Sequence, residues 1–173
     1  VFNSFKANEG LMAFRRDSIA GVQPVKLEVK HPDEITALFD PSIVYAKGGR
    51  LLNMLRTYIG EHSFRAGLKQ YFAKHQYGNT TGDDLWTAFS TASGKGVAAF
   101  MNPWLQRPGF PVVSIDETKE SVVIGQRHFL TDPAKADQSR LWPVPLLASS
   151  EHLPALLDAK TPEITLHFAS EDY

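Results

Sequence analysis

Val97-Ala98-Ala99-Phe100-Met101-Asn102-Pro103-Trp104-Leu105-Gln106-Arg107-Pro108-Gly109-Phe110-Pro111-Val112-Val113-Ser114-Ile115-Asp116 is where the hydrophobic rhythm of this 173-residue chain changes. Up to Arg107, Val97, Phe100/Met101 and Trp104/Leu105 recur at the spacing of one face of an α-helix, although Pro103 is expected to kink or shorten it. Beyond Pro108 the apolar residues alternate or run together over strand lengths. The charge changes at the same place: residues 1–107 hold 13 basic and 9 acidic groups, residues 108–173 hold 5 and 10. Arg107-Pro108-Gly109 is therefore the expected boundary between a helical part, 1–107, and a strand-forming part, 108–173.

Working back from the boundary, Thr81 and Asp84 have capping-box spacing and start a helix that buries Leu85, Trp86, Phe89 and Ala92. Before it, Phe64, Gly67/Leu68, Tyr71/Phe72 and His75 predict a helix that stops at Gly78-Asn79. A longer helix is predicted from Ser42, capped by Asp40 or Ser42 with Pro41 at a permitted early position. Its stripe is Val44, Gly48, Leu51, Leu55 and Tyr58/Ile59, and Gly60 closes it. Residues 21–32 read as extended or loop, and Phe2, Phe5 and Ala13/Phe14 suggest an opening helix that ends near Asp17-Ser18. Working forward, Pro111–Asp116, Ser121–Phe129, Leu141–Ser149 and Glu163–Phe168 read as short antiparallel strands joined by polar or proline-marked segments. The expected fold is α+β: four to five helices, then a partial antiparallel β-sandwich.

Composition removes several functions. The charge balance of 18 basic against 19 acidic residues gives no electrostatic footprint for nucleic acid or an anionic membrane. No apolar run reaches the ~20 residues that span a bilayer. With no cysteine, disulfide, thiolate and cysteine-ligated metal chemistry are excluded. The sequence begins at Val1 without a signal-peptide pattern and is read as a fragment.

The six histidines (31, 62, 75, 128, 152 and 167) include no pair three or four apart, so a helical zinc pair is absent and no metal ligand is expected in this chain. His75 reads as a helix-end residue on a packed face and the others as surface groups. There is no G-x-S-x-G elbow, and Gly48-Gly49 leads into Arg50 instead of the Lys-Ser/Thr of a phosphate loop. The unusual string is Tyr45-Ala46-Lys47-Gly48-Gly49. Each glycine early in a helix costs about 1 kcal/mol relative to alanine, so close approach of another element or a ligand is expected to offset it. Tyr45 lies one position off the apolar stripe. It is either a packed core tyrosine, the commoner occupant of such a position, or a phenol facing a cleft.

The run Phe39-Asp40-Pro41-Ser42-Ile43-Val44-Tyr45-Ala46-Lys47-Gly48-Gly49 resembles the aminopeptidase N family of zinc metallopeptidases, the gluzincins. The resemblance continues in order through Met54-Leu55, Gly60-Glu61, Tyr77-Gly78-Asn79 and Asp84-Leu85-Trp86. It then takes in Pro108-Gly109-Phe110-Pro111, Gln126-Arg127-His128-Phe129 and Trp142-Pro143-Val144-Pro145, so it covers residues 15–149 or so. It implies that 1–107 is the C-terminal helical part of a thermolysin-like catalytic domain and 108–173 an incomplete β-sandwich domain. It implies an enzyme that removes N-terminal amino acids from peptides with one zinc ion, in which Tyr45 matches the tyrosine that hydrogen-bonds the oxyanion. HExxH and the substrate-holding G-x-M-E-N strand are not in this sequence. Gly49 replaces the usual alanine, and Pro103 interrupts a helix that relatives leave intact. The expected partners are peptide substrates and the remainder of the polypeptide, with cytoplasmic location and no nucleic acid or membrane. An exposed apolar face and sheet edge would favour self-association. The alternative is a non-catalytic helical-plus-sandwich module for protein contacts.

Overall fold

The computed structural model describes residues 7–147, 153–158 and 161–167. Contacts divide the chain into two compact units, residues up to Ala13 with Pro24–Arg107, and Phe14–Gln23 with Pro108 onward. Helix α1 (Glu9–Asp17) carries Arg15 and Arg16 in its last turn, which suits the helix dipole. Phe2 and Phe5 lie outside the described residues.

In the helical unit, α2 (Ile35–Leu38) is a single turn, and a π-helical turn (Ser42–Lys47) leads into α3 (Gly48–Ile59). Gly60, at φ 84°, ends α3 as expected, because only glycine adopts that backbone without strain. Helix α4 (Glu61–His75) stops before the expected Gly78-Asn79, and Tyr77 takes the positive φ of 61° in the turn that follows. Helix α5 (Gly82–Ser93) starts at the expected box, where the Asp84 carboxylate accepts from the Thr81 N–H at 2.8 Å and its hydroxyl at 2.9 Å. These bonds hold the Asp84 carboxyl below its ordinary range. Helix α6 (Val97–Gln106) is not cut short at Pro103 but runs three residues past it. Proline there removes only one ladder donor.

Leu55, Phe89, Val97 and Met101 are fully buried at the centre of this unit. Phe64 of α4 stacks on Phe89 of α5 at 4.8 Å. Gly67 explains how α4 and α5 come so close, since a Cβ there would lie 2.5 Å from the Phe89 ring. Tyr58 stacks on Phe100 at 4.4 Å, and the Lys95 ammonium sits 4.0 Å over its ring while donating to the Tyr58 carbonyl at 2.7 Å. Burial pushes the Tyr58 phenol above its ordinary value.

The other unit carries β1 (Phe110–Glu117), β2 (Ser121–Phe129), β3 (Val144–Pro145), β4 (Leu156–Leu157) and β5 (Glu163–His167). Antiparallel pairing gives one sheet in the order β1-β2-β5 and a second of β3 and β4. Ile115 faces Ile124, which in turn faces Ile164, so the register brings Ile124 and Ile164 to one cluster with Leu157. The α+β class of helices followed by part of an antiparallel sandwich is therefore correct. The strand expected over Leu141–Ser149 reduces to β3, with residues 148–149 outside the described part. The Gln126 side chain takes both backbone groups of Trp142, donating to its carbonyl at 2.9 Å and accepting from its N–H at 3.0 Å. Pro143 and Pro145 have no N–H for a ladder. Leu156–Leu157, read as part of a connection, is instead the partner of β3.

In this unit Asp17 accepts from the Gly109 N–H at 2.9 Å, and the Ser18 carbonyl accepts from the Thr131 N–H at 2.9 Å. His128 is a correction: it is not a surface group but 2% exposed. Its Nδ1 accepts from the Asp137 N–H at 3.1 Å, which leaves the proton on Nε2, beside Gly109. Burial, with the Arg140 cation, lowers its pKa below the ordinary histidine value, against opposing pulls from Asp137 and Asp17.

Candidate functional site

Asp40 shapes the backbone before Tyr45. Its side chain accepts from the Ser42 N–H at 3.0 Å, while its carbonyl accepts from Ile43 at 3.0 Å and Val44 at 2.8 Å. Pro41, with φ −59°, fits this first turn without strain. The expected α-helix from Ser42 is a π-helix over Ser42–Lys47, in which the Gly48 N–H reaches the Ile43 carbonyl five residues back. Such turns are rare and recur at functional sites.

The wider winding decides which side chains are covered. Ile43, Ala46 and Lys47 are buried, and the Lys47 ammonium donates to the Arg107 carbonyl at 3.5 Å. Tyr45 is 67% exposed, so it is not the packed core residue that spacing alone favours. Its ring meets Phe39 edge to face, with centroids 5.4 Å apart and planes at 76°. Among the described residues nothing is hydrogen-bonded to its hydroxyl.

Tyr45 shares a cleft of about 370 Å³ with Gly48 and Gly49, and Leu52, Trp86, Met101 and Leu105 contribute to its apolar wall. The glycine anomaly now has a narrower explanation. A Cβ on Gly48 would meet nothing nearer than the Ile43 carbonyl at 4.0 Å, and its φ of −55° is ordinary helix. Neither packing against described residues nor backbone conformation demands glycine there. Open space on the cleft side is what it leaves. Chemically, the arrangement is a phenol at the edge of an apolar recess, next to backbone that a ligand can approach closely.

His75 Nε2 lies 3.9 Å from Asp84 and its ring 5.5 Å from Tyr71, which agrees with a packed helix end. His31 accepts from the Asp33 N–H, and His128 belongs to the strand-rich unit. Among the described residues no group of three or more His, Asp or Glu could hold a metal ion, so these residues do not fit a zinc site. Sequence reasoning missed the π-turn and the Phe39 contact. Phe39 begins the quoted motif, but nothing in its spacing pairs it with Tyr45.

Comparison with known proteins agrees with the resemblance. The peptidase family M1 domain matches residues 1–104. Aminopeptidase N of Lactococcus lactis subsp. lactis (strain IL1403) is 51% identical over 164 residues, 95% of this chain and 19% of that protein. Aminopeptidase N of Lactobacillus delbrueckii subsp. lactis is 43% identical over 149 residues, 86% of this chain and 18% of that protein. The tricorn protease-interacting factor F2 of Thermoplasma acidophilum is 40% identical over 146 residues, 84% of this chain and 18% of that protein. The chain thus spans about a fifth of the length of these relatives. With a domain match over more than half its length and relatives in agreement, the chain belongs to peptidase family M1.

Proposed function

We propose that this chain is part of a zinc-dependent aminopeptidase that removes N-terminal amino acids from peptides, and that Tyr45 donates a hydrogen bond to the oxyanion of the tetrahedral intermediate. Residues 1–107 are then the closing helical part of its catalytic domain and 108–173 the opening of a β-sandwich domain. The observation that carries the reading is the exposed Tyr45 on a π-turn, at a cleft where no described packing requires Gly48 to be glycine. The relatives named aminopeptidase N support the activity. Zinc belongs to residues outside this chain.

The phenol acts by differential binding. A carbonyl oxygen accepts a weaker hydrogen bond than the oxyanion that replaces it, so a positioned donor lowers the barrier more than it tightens substrate binding. Tyr45→Phe, made in the protein translated from the whole reading frame, tests this with leucine para-nitroanilide as substrate. We expect kcat to fall by about 10²–10³-fold with little change in KM. A kcat within about twofold of wild type would end the assignment.

A further inference from the structure

We infer that Phe39 is a positioning residue for Tyr45, an inference that rests on the role of Tyr45 proposed above. Phe39 closes α2 in an extended conformation, φ −84° and ψ 92°, immediately before the Asp40 cap. Tyr45 lies six positions after it, and on one continuous α-helix such positions do not face each other. They meet because the chain turns at Asp40-Pro41 and the π-turn then brings Tyr45 round to the Phe39 ring. Phe39 is 44% exposed, so burial in the core is not what this ring contributes. Its contact is the one aromatic neighbour of Tyr45 among the described residues.

An exposed phenol without a hydrogen-bond partner is free to exchange rotamers. A donor that must meet an oxyanion loses effect when it is not held in the productive orientation. The ring edge of one aromatic against the face of the other restricts that motion and leaves the hydroxyl accessible. Phe39 thus acts on the reaction through Tyr45, without touching substrate.

The test uses the full-length protein and leucine para-nitroanilide. Phe39→Ala is expected to lower kcat about three- to tenfold, the size of one edge-to-face pair, with KM changed by less than about twofold. Phe39→Tyr, which keeps the ring edge, restores wild-type kcat. Phe39→Leu keeps apolar bulk without the ring and gives the same kcat loss even where the alanine variant folds poorly. In a Tyr45→Phe background, Phe39→Ala leaves kcat unchanged, because no hydroxyl remains to be positioned. An equal loss in both backgrounds overturns the inference in favour of a structural role. No loss in either overturns it as well. If Tyr45→Phe lowers kcat and Phe39→Ala does not, only the positioning role fails; if Tyr45→Phe itself has no effect, the Tyr45 assignment falls with it.

Discussion

Two glycines on neighbouring helices show how the same residue type serves opposite purposes. Gly67 lies against Phe89, where a methyl group would press 2.5 Å from the ring and 3.2 Å from the Phe89 Cα. Backbone on the facing helix cannot yield easily, so Gly67→Ala is expected to destabilise by about 1–3 kcal/mol in urea unfolding. Gly48 faces open space in ordinary helical geometry. Gly48→Ala should therefore stabilise by up to about 1 kcal/mol while lowering peptidase activity, as a methyl group enters the cleft. Equal behaviour of the two variants in urea would contradict this contrast. Their chemistry was only half legible in the sequence. The motif flagged Gly48-Gly49 as costly, but whether a glycine faces a ring or a void depends on residues far along the chain.

Elements with local causes could be read directly. The Thr81–Asp84 box, the Gly60 stop and the alternation of β1 and β2 each lie within a few residues of the structure they produce. The π-turn could not be read, because an α-helix and a π-helix differ only in which carbonyl accepts each N–H. Burial of Ile43, Ala46 and Lys47 coincides with the second choice. His128 on β2 was illegible for a related reason. The groups that enclose it, Gly109 and Asp137, come from either side of the strand in sequence. Its pKa is lowered chiefly by burial, so the unfolded chain binds the proton more readily than the folded one. This contribution to stability is present above the ordinary value of 6.5 and is lost as pH falls through the folded value. Urea unfolding between about pH 7 and pH 5 should show stability falling on acidification, and less steeply in His128→Asn, which keeps an acceptor for the Asp137 N–H. Identical slopes would remove His128 from the pH response.

At the scale of the whole molecule, the change of periodicity at Arg107-Pro108 gave the order of helices and strands. It could not show that Phe14–Gln23 groups with the strand-rich residues, since bonds such as Asp17 to Gly109 span 92 positions. The family was legible because ordered motifs run along most of the chain, and the match over residues 1–104 bears it out. The isolated chain, a fifth of the length of its relatives and without a metal-binding group among its described residues, is expected to hydrolyse no aminoacyl para-nitroanilide with or without added zinc. Hydrolysis that a chelator abolishes would refute that division of labour. The central claim remains that Tyr45 binds the oxyanion. It is tested most directly by the inhibition constant of a phosphinic dipeptide, whose tetrahedral oxygen stands in for that charge, on the full-length enzyme and its Tyr45→Phe variant. The account predicts that inhibition weakens by about the same factor as kcat, roughly 10²-fold or more, while the affinity for a product amino acid is unchanged. Undiminished phosphinic inhibition in Tyr45→Phe would contradict it.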